Sequence, residues 1–557
     1  MRSLRKLTKR YFKYFMVYLL MCCMLFNVPL SVALASPQGH DVQYGNVTVH
    51  YNGSNTIVDI TSNNAVINWQ SLDTLPGDVL RFLQLSSSSA VLNRITSALP
   101  TQFDGALIAN GRVFIVNPAG VIFGESATVN VNQLVASGLN ISNEDFLNGV
   151  HRFEGGYGDV INKGYISAEK VSLIGKHVRN AGTIVSPNGH VIMAAGDKVF
   201  IGQPNSNILV EVDGPAADGI SDVINEGLIE ADNGQIVLAA GDIFSHAIEN
   251  VGTLSAKSGT VTANAGRVGQ FGTINVDAVE GDGGTVRLTA SEVVALGSES
   301  ITTANAGDNG DGGDVILFSP ENALFREGAQ IEARGGAISG DGGFIDVSGK
   351  QYVEVAGSID LSAANGKSGE FLIDPYDIII NDVDDQEHGG MSGGVWSPGW
   401  QDAQLDIDVL EGYLESADVT ISTDTGVVGT QTGQVLFLAG RDVTSTDNSL
   451  TVNADGAIRM ASSSGIDFSG NGSVTLNAGD YIEIFEGTNI NLQGDGVLTL
   501  NAANVTNTTR IGGDLTTAGS GGIAFNSNVT FNGSGNQSID AGTGTLTTGG
   551  TISKNSG

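Results

Sequence analysis

The sequence predicts an all-β protein wound as a parallel solenoid, and three observations carry that expectation. Apolar residues come in alternating runs of four to six, such as GNVTVHY, TIVDI and VILF, closed off by Gly, Asn and Asp, which is the pattern of short strands and tight turns. Glycine is abundant at 77 residues and proline scarce at 11, yet hydrophobic residues make up 41% of the chain, more than disorder allows. Similar cassettes also recur at intervals of 24 to 30 residues, the length of one solenoid coil.

Residues 1–35 stand apart and read as a secretory signal. Six basic residues (Arg2, Arg5, Lys6, Lys9, Arg10, Lys13) precede an apolar stretch from Phe15, and Ala33-Leu34-Ala35 is a small-x-small cleavage site before Ser36. Cleavage is expected between Ala35 and Ser36. An uncleaved anchor is the alternative, since Phe15 to Ala35 is long enough to span a bilayer, but Asn27, Pro29 and the A-x-A site speak against it. Both cysteines, Cys22 and Cys23, lie in this segment, so the remainder has no disulfide, thiol catalysis or Cys-ligated metal.

Of 26 Lys and Arg, six belong to the signal; the other 20 face 60 Asp and Glu, a formal charge of −40. A surface of that sign repels nucleic acid, and no nucleic-acid partner is expected.

Residues 36–160 form the first expected domain. From Val66 to Ser142 it is denser in large apolar residues than the rest and contains the run NGRVFIVNPAGVIFG. At its centre, Asn117-Pro118-Ala119-Gly120 has the signature of a type I turn: Asn caps position i, Pro presets φ at i+1 and Gly sits at i+3. The turn is expected to join strands at Val113 to Val116 and Val121 to Phe123.

Repeats are expected over 161–373. VINKGYI (160–166), VRNAGTI (178–184), VINEGLI (223–229) and IENVGTL (248–254) share an apolar-x-Asn-x-Gly-x-apolar frame, two short strands about a turn whose Asn side chains can stack as ladders. GDGG recurs at Gly281, Gly310 and Gly340, 29 and 30 residues apart, with a related GKSG at Gly366. Residues 374–416 interrupt the pattern with an acidic loop (Asp382, Asp384, Asp385, Glu387), Trp396 and Trp400, and some helical spacing near Leu405 to Leu414. Repeats resume over 417–557, with Val452, Leu476 and Leu500 at steps of 24. The Gly/Thr/Ser/Asn-rich stretch from Gly519 to Gly557 carries no recognisable cap and reads as an incomplete end.

INWQSLDTLPGDVLRFLQLSSSSAVLNRITS (67–97), ANGRVFIVNPAGVIFG (109–124) and NVNQLVASGLNISNEDF (130–146), in that order, resemble the two-partner-secretion, or haemagglutination-activity, domain of filamentous haemagglutinins and high-molecular-weight adhesins. Ala119 replaces the Asn more usual in the NPxG motif. The family's NPNL motif is not present as such, and LNRITS (Leu92 to Ser97) stands in its place. LIDP (372–375) also resembles a segment that follows the repeats in such proteins. The resemblance implies a right-handed parallel β-helix with an N-terminal cap and small extra-helical β-sheets. It implies a cognate outer-membrane barrel transporter as partner, passage through the periplasm of a Gram-negative bacterium, folding at the cell surface, and adhesion to host or environmental glycans or proteins. Asn117, Pro118, Gly120 and Phe123 are the residues expected to keep the domain intact for secretion.

The alternative is a polysaccharide-active β-helix enzyme, for which the acidic loop is the best candidate; a solvated loop is the simpler account of so many carboxylates in this chain. GDNGDGGDV (307–315) lacks the tandem nine-residue copies of calcium-binding repeats. The seven histidines, His40, His50, His151, His177, His190, His246 and His388, show no paired spacing and are expected at the surface or in turns. Trp396 and Trp400 could stack on a sugar or pin a loop. No catalytic residue, cofactor or metal is expected.

Overall fold

The computed structural model of the chain describes residues 36–202, 209–213, 222–240, 248–382, 389–392, 395–398, 402–423, 431–503 and 509–554. Their strands wind into a right-handed parallel β-helix with three faces. One coil shows the pattern: Val160–Asn162 lies on the first face, Tyr165–Ser167 on the second and Lys170–Gly175 on the third. The next coil stacks on it in register, pairing Val160 with Val178, Ile166 with Ile184 and Val171 with Val191.

Among the described residues eighteen strands stack on the third face, from Asn64–Trp69 to Leu546–Thr548, and at about 4.8 Å per step they make a rod about 80 Å long. Alternation decides what points inward. In Leu450–Ala454, Val474–Ala478 and Leu498–Ala502 every second residue is buried, and all of these except Ala502 join one apolar core that runs from Val58 to Val529. Each fully buried Val, Ile, Leu or Phe contributes about 1.5–3 kcal/mol.

The N-terminal end is closed by antiparallel pairing. Val47–Asn52 and Asn55–Ile60 form a hairpin, and Asp41–Tyr44 lies antiparallel against Asn64–Trp69, which covers the edge that a parallel stack would leave open.

The early coils differ from the later ones in being buried on both sides of the third face. His190–Ala195 has no exposed residue, because Leu92, Phe114, Val135, Ile174 and Ile192 turn outward into a second apolar cluster. That cluster is covered by an antiparallel sheet of His151–Glu154, Lys198–Gly202 and Leu209–Asp213 and by the short helix α1 (Asn143–Leu147). Burial on both faces explains why the sequence there is continuously apolar rather than alternating.

Across 374–416 the core continues. Gly369–Ile373 pairs directly with Ala417–Thr423, Phe371 opposite Val419. The intervening chain adds two strands to the first face out of sequence order: Ala403–Asp406 sits between Tyr352–Val355 and Ile378–Asn381. Helix α2 (Ile407–Leu414) then packs between the second-face strand Ser358–Asp360 and the later strand Val443–Ser445. It starts where Asp406 caps it, Oδ1 accepting from the Asp408 amide at 2.8 Å. Its buried face carries Ile407, Leu410, Tyr413 and Leu414, and the Tyr413 hydroxyl donates to the Gly357 carbonyl at 2.9 Å.

Candidate functional site

The Asn117–Gly120 turn links Arg112–Val116 on the third face to Val121–Phe123 on the first. The Gly120 amide donates to the Asn117 carbonyl at 2.8 Å and closes the turn. Asn117 is fully buried, and its side chain uses all of its chemistry. Nδ2 donates to the Leu99 carbonyl and to Thr101 Oγ1, both at 3.0 Å, while Oδ1 accepts from the Ala119 amide at 2.9 Å. The residue therefore fixes its own turn and ties it to the coil below. Gly120 has φ +123°, and a Cβ there would stand 2.9 Å from the Asp159 carbonyl oxygen; the next coil leaves no room for a side chain. Pro118 and Ala119 are half-buried on the outer corner. Phe123 is in the core, its ring edge-on to Phe103 with centroids 6.0 Å apart.

Leu92 to Ile95 of LNRITS form the end of the strand Ala90–Ile95. Asn93 accepts from the Trp69 indole N–H at 2.9 Å and donates to the Phe114 carbonyl at 3.2 Å, joining three successive coils. Arg94 reaches outward: its guanidinium donates to the Ile141 carbonyl at 2.6 Å and to Asn143 Oδ1 at 2.8 Å, fastening the start of helix α1 to the sheet. Nothing in the spacing of these residues announced those roles.

Beyond the turn, the Asn of the recurring cassette forms a buried ladder. Nδ2 of Asn162 donates to Oδ1 of Asn180 at 2.8 Å, Asn180 to Asn225 at 2.9 Å, Asn225 to Asn250 at 2.8 Å and Asn250 to Gln270 Oε1 at 2.6 Å. The GDGG cassettes have an equally local cause. Asp282 accepts from the Asp311 amide at 2.9 Å and Asp311 from the Asp341 amide at 2.7 Å, one coil to the next. A Cβ on Gly283, Gly312 or Gly342 would fall 2.0, 2.1 or 1.9 Å from a backbone oxygen of the neighbouring coil.

Ala35, Asp384, Asp385, Glu387, His246, His388 and Trp400 lie outside the described residues, as does the rest of the signal segment. Ser36 is half-buried at the start of the cap, and Gln38 already pairs with Ser71, its amide donating at 2.8 Å. Asp382 lies 3.9 Å from Arg441, which also binds Asp408 and Glu411. Trp396 stands on a hairpin of Gly389–Ser392 and Val395–Pro398. Among the described residues no three His, Asp or Glu side chains converge as a metal-binding group. His40, His50 and His177 contact Tyr51, Asp59 and Asp159. His190, by contrast with the expectation of a surface or turn residue, is buried at the start of its third-face strand, because the extra-helical sheet covers that end of the coil.

The family model of the two-partner secretion (TPS) domain matches residues 33–308. Those residues belong to the two-partner-secretion domain family. The span takes in the cap, the Asn117–Gly120 turn, the extra-helical sheet and the whole asparagine ladder. The chain is similar to the HMW1 secretion domain from Haemophilus influenzae, known from its crystal structure. That likeness has a TM-score of 0.55 at 25% identity and covers 67% of this chain and 100% of that one. Among curated proteins, a heme/hemopexin-binding protein of Haemophilus influenzae is 32% identical over 196 residues, 33% of this chain and 22% of that protein. A second heme/hemopexin-binding protein of that species is 32% identical over 102 residues, 18% of this chain and 11% of the relative. The chain thus matches 22% and 11% of the length of these relatives.

Proposed function

We infer that the chain is the exported member of a two-partner secretion pair. It enters the periplasm by its N-terminal signal, is cleaved between Ala35 and Ser36, and leaves through a cognate outer-membrane barrel transporter of a Gram-negative bacterium. Outside the cell it acts as an adhesin or haemagglutinin-like protein toward glycans or proteins, without enzymatic activity. The observation that carries this reading is the two-partner-secretion domain at 33–308.

The architecture supports a mechanism for export. Each coil pairs its backbone on the preceding one and closes the apolar core by another layer, so folding can proceed coil by coil as the chain emerges, and each layer opposes backsliding by burying apolar area. The antiparallel cap gives that process a defined start. We assign 36–160 as the part read by the transporter, 161–373 and 417–557 as the solenoid shaft, and the Asn117–Gly120 turn as a determinant of the domain's integrity.

The test is co-expression with and without the cognate transporter, measuring the chain in the medium. Release that depends on the transporter supports the reading, and equal extracellular yield in both cases overturns it. Turnover of acidic polysaccharides by the purified chain, abolished by changing Asp382, Asp384, Asp385 and Glu387, would establish the enzyme alternative instead.

A further inference from the structure

The first residues of the early third-face strands form a column. Arg112 pairs with Gln133, Gln133 with Lys170 and Lys170 with His190. With coils about 4.8 Å apart, the backbones of Arg112 and Lys170 are about 10 Å apart and His190 is one step further, a span that the long side chains can close on a single group. Opposite this column stands His151, on the first strand of the extra-helical sheet, its ring edge-on to Phe114 with centroids 5.6 Å apart. The two walls enclose a cleft of about 480 Å³.

The electrostatics of this cleft run against those of the chain. In a protein of formal charge −40 beyond its signal, neither Arg112 nor Lys170 has a carboxylate partner among the described residues. Arg112 Nε donates to the Ser88 carbonyl at 3.0 Å. The one acid on the wall, Glu169, accepts from Asn132 Nδ2 at 2.9 Å. Burial first, and then Lys170 and His151, push the His190 imidazole down to about 4; burial, Arg112 and Lys170 lower His151. At neutral pH the cleft therefore presents two fixed cations and two neutral imidazoles, each with a ring N–H to give. Donors outnumber acceptors, the arrangement that suits an oxyanion.

We propose that this cleft binds a phosphate or sulfate group, held by Arg112 and Lys170 and hydrogen-bonded by His151 and His190. The cleft has room beyond the oxyanion itself, so the group is either a free ion or the end of a small ester. Binding draws a proton onto an imidazole and is coupled to pH. The site is independent of how the chain is exported.

Calorimetry on the purified chain beginning at Ser36, with inorganic sulfate, inorganic phosphate and glucose 6-phosphate as probes, tests this. Saturable binding is expected, with sulfate, whose own charge does not change in this range, binding about tenfold more tightly at pH 5 than at pH 7.5. Lys170→Gln should weaken binding about tenfold, and His190→Gln should flatten the pH dependence; amide exchange of both variants verifies that the coil is intact. Tighter binding of the sugar ester than of free phosphate assigns the site to an ester-borne group, and the reverse assigns it to the free ion. No saturable binding of any probe, or binding that Lys170→Gln and His190→Gln leave unchanged, overturns the proposal.

Discussion

Replacing Asn117 by Ala removes three hydrogen bonds from a fully buried side chain, those to Leu99, Thr101 and Ala119. At about 1 kcal/mol net for each bond, the loss is about 3 kcal/mol. Two details move that figure in opposite directions. Thr101 is 2% exposed, so its hydroxyl loses a donor where water is scarce, which adds about 1 kcal/mol. Leu99 is 72% exposed, so water can reach the carbonyl region on its side and recover part of the loss. The expected cost is about 2–4 kcal/mol, a factor of roughly 30 to 1000 in local opening. Coils of a solenoid are coupled mainly to their neighbours, so the effect should be local. Amide hydrogen exchange on the full chain from Ser36 reads it directly. Protection should fall by that factor at Thr101–Phe103 and Val121–Phe123 and stay unchanged at Leu450–Ala454. Unaltered protection at Val121–Phe123, or an equal loss along the whole rod, would refute the assignment of Asn117 as a local tie between coils.

Gly120→Val places a branched side chain at φ +123° with the Asp159 carbonyl in its way; the yield in the medium from transporter-bearing cells should drop severalfold below that of an Ala119→Asn variant, and equal yields would remove the turn from the secretion argument. Asn180→Ala breaks the ladder on both sides and should cost about 2–4 kcal/mol, seen as faster exchange in Val160–Asn162 and Val223–Asn225; a double variant with Asn225→Ala should cost less than the sum of the two singles. His190 titrates at about 4 in the folded chain against about 6.5 unfolded. Its contribution is therefore full above pH 6.5 and is lost as pH falls toward 4, by about 3 kcal/mol. Urea unfolding of the early coils followed from pH 7 to pH 4.5 should show that loss in the native chain and a shallower one in His190→Gln.

The solenoid was legible because its causes are local and repeated. The apolar-x-Asn-x-Gly-x-apolar frame encodes two strands, the corner between them and the ladder residue, and the ladder from Asn162 to Gln270 follows from stacking that frame in register. GDGG was legible as a coil marker, although its chemistry, an Asp that accepts from the next Asp's amide beside glycines with no room for Cβ, needs the neighbouring coil to be seen. The NPAG turn was readable from residue types alone; the bonds of Asn117 to Leu99 and Thr101 were not, since they join residues 16 to 18 apart. The helical spacing near Leu405 to Leu414 corresponds to helix α2, but its packing between second-face strands was not legible, nor was the insertion of Ala403–Asp406 between two earlier strands. Both depend on a chain order that the periodicity does not encode. The column of Arg112, Gln133, Lys170 and His190 escaped the sequence for a similar reason: the coils it crosses differ in length, so residues adjacent in space stand 21, 37 and 20 residues apart in the chain.

The measurement that bears most directly on the account is fractionation of cells expressing the full chain with and without the outer-membrane transporter, with the N-terminus of the released product sequenced. Transporter-dependent appearance in the medium, with a product that begins at Ser36, is the expected result. A chain retained in the periplasm with Met1 to Ala35 still attached, whether or not the transporter is present, would contradict it.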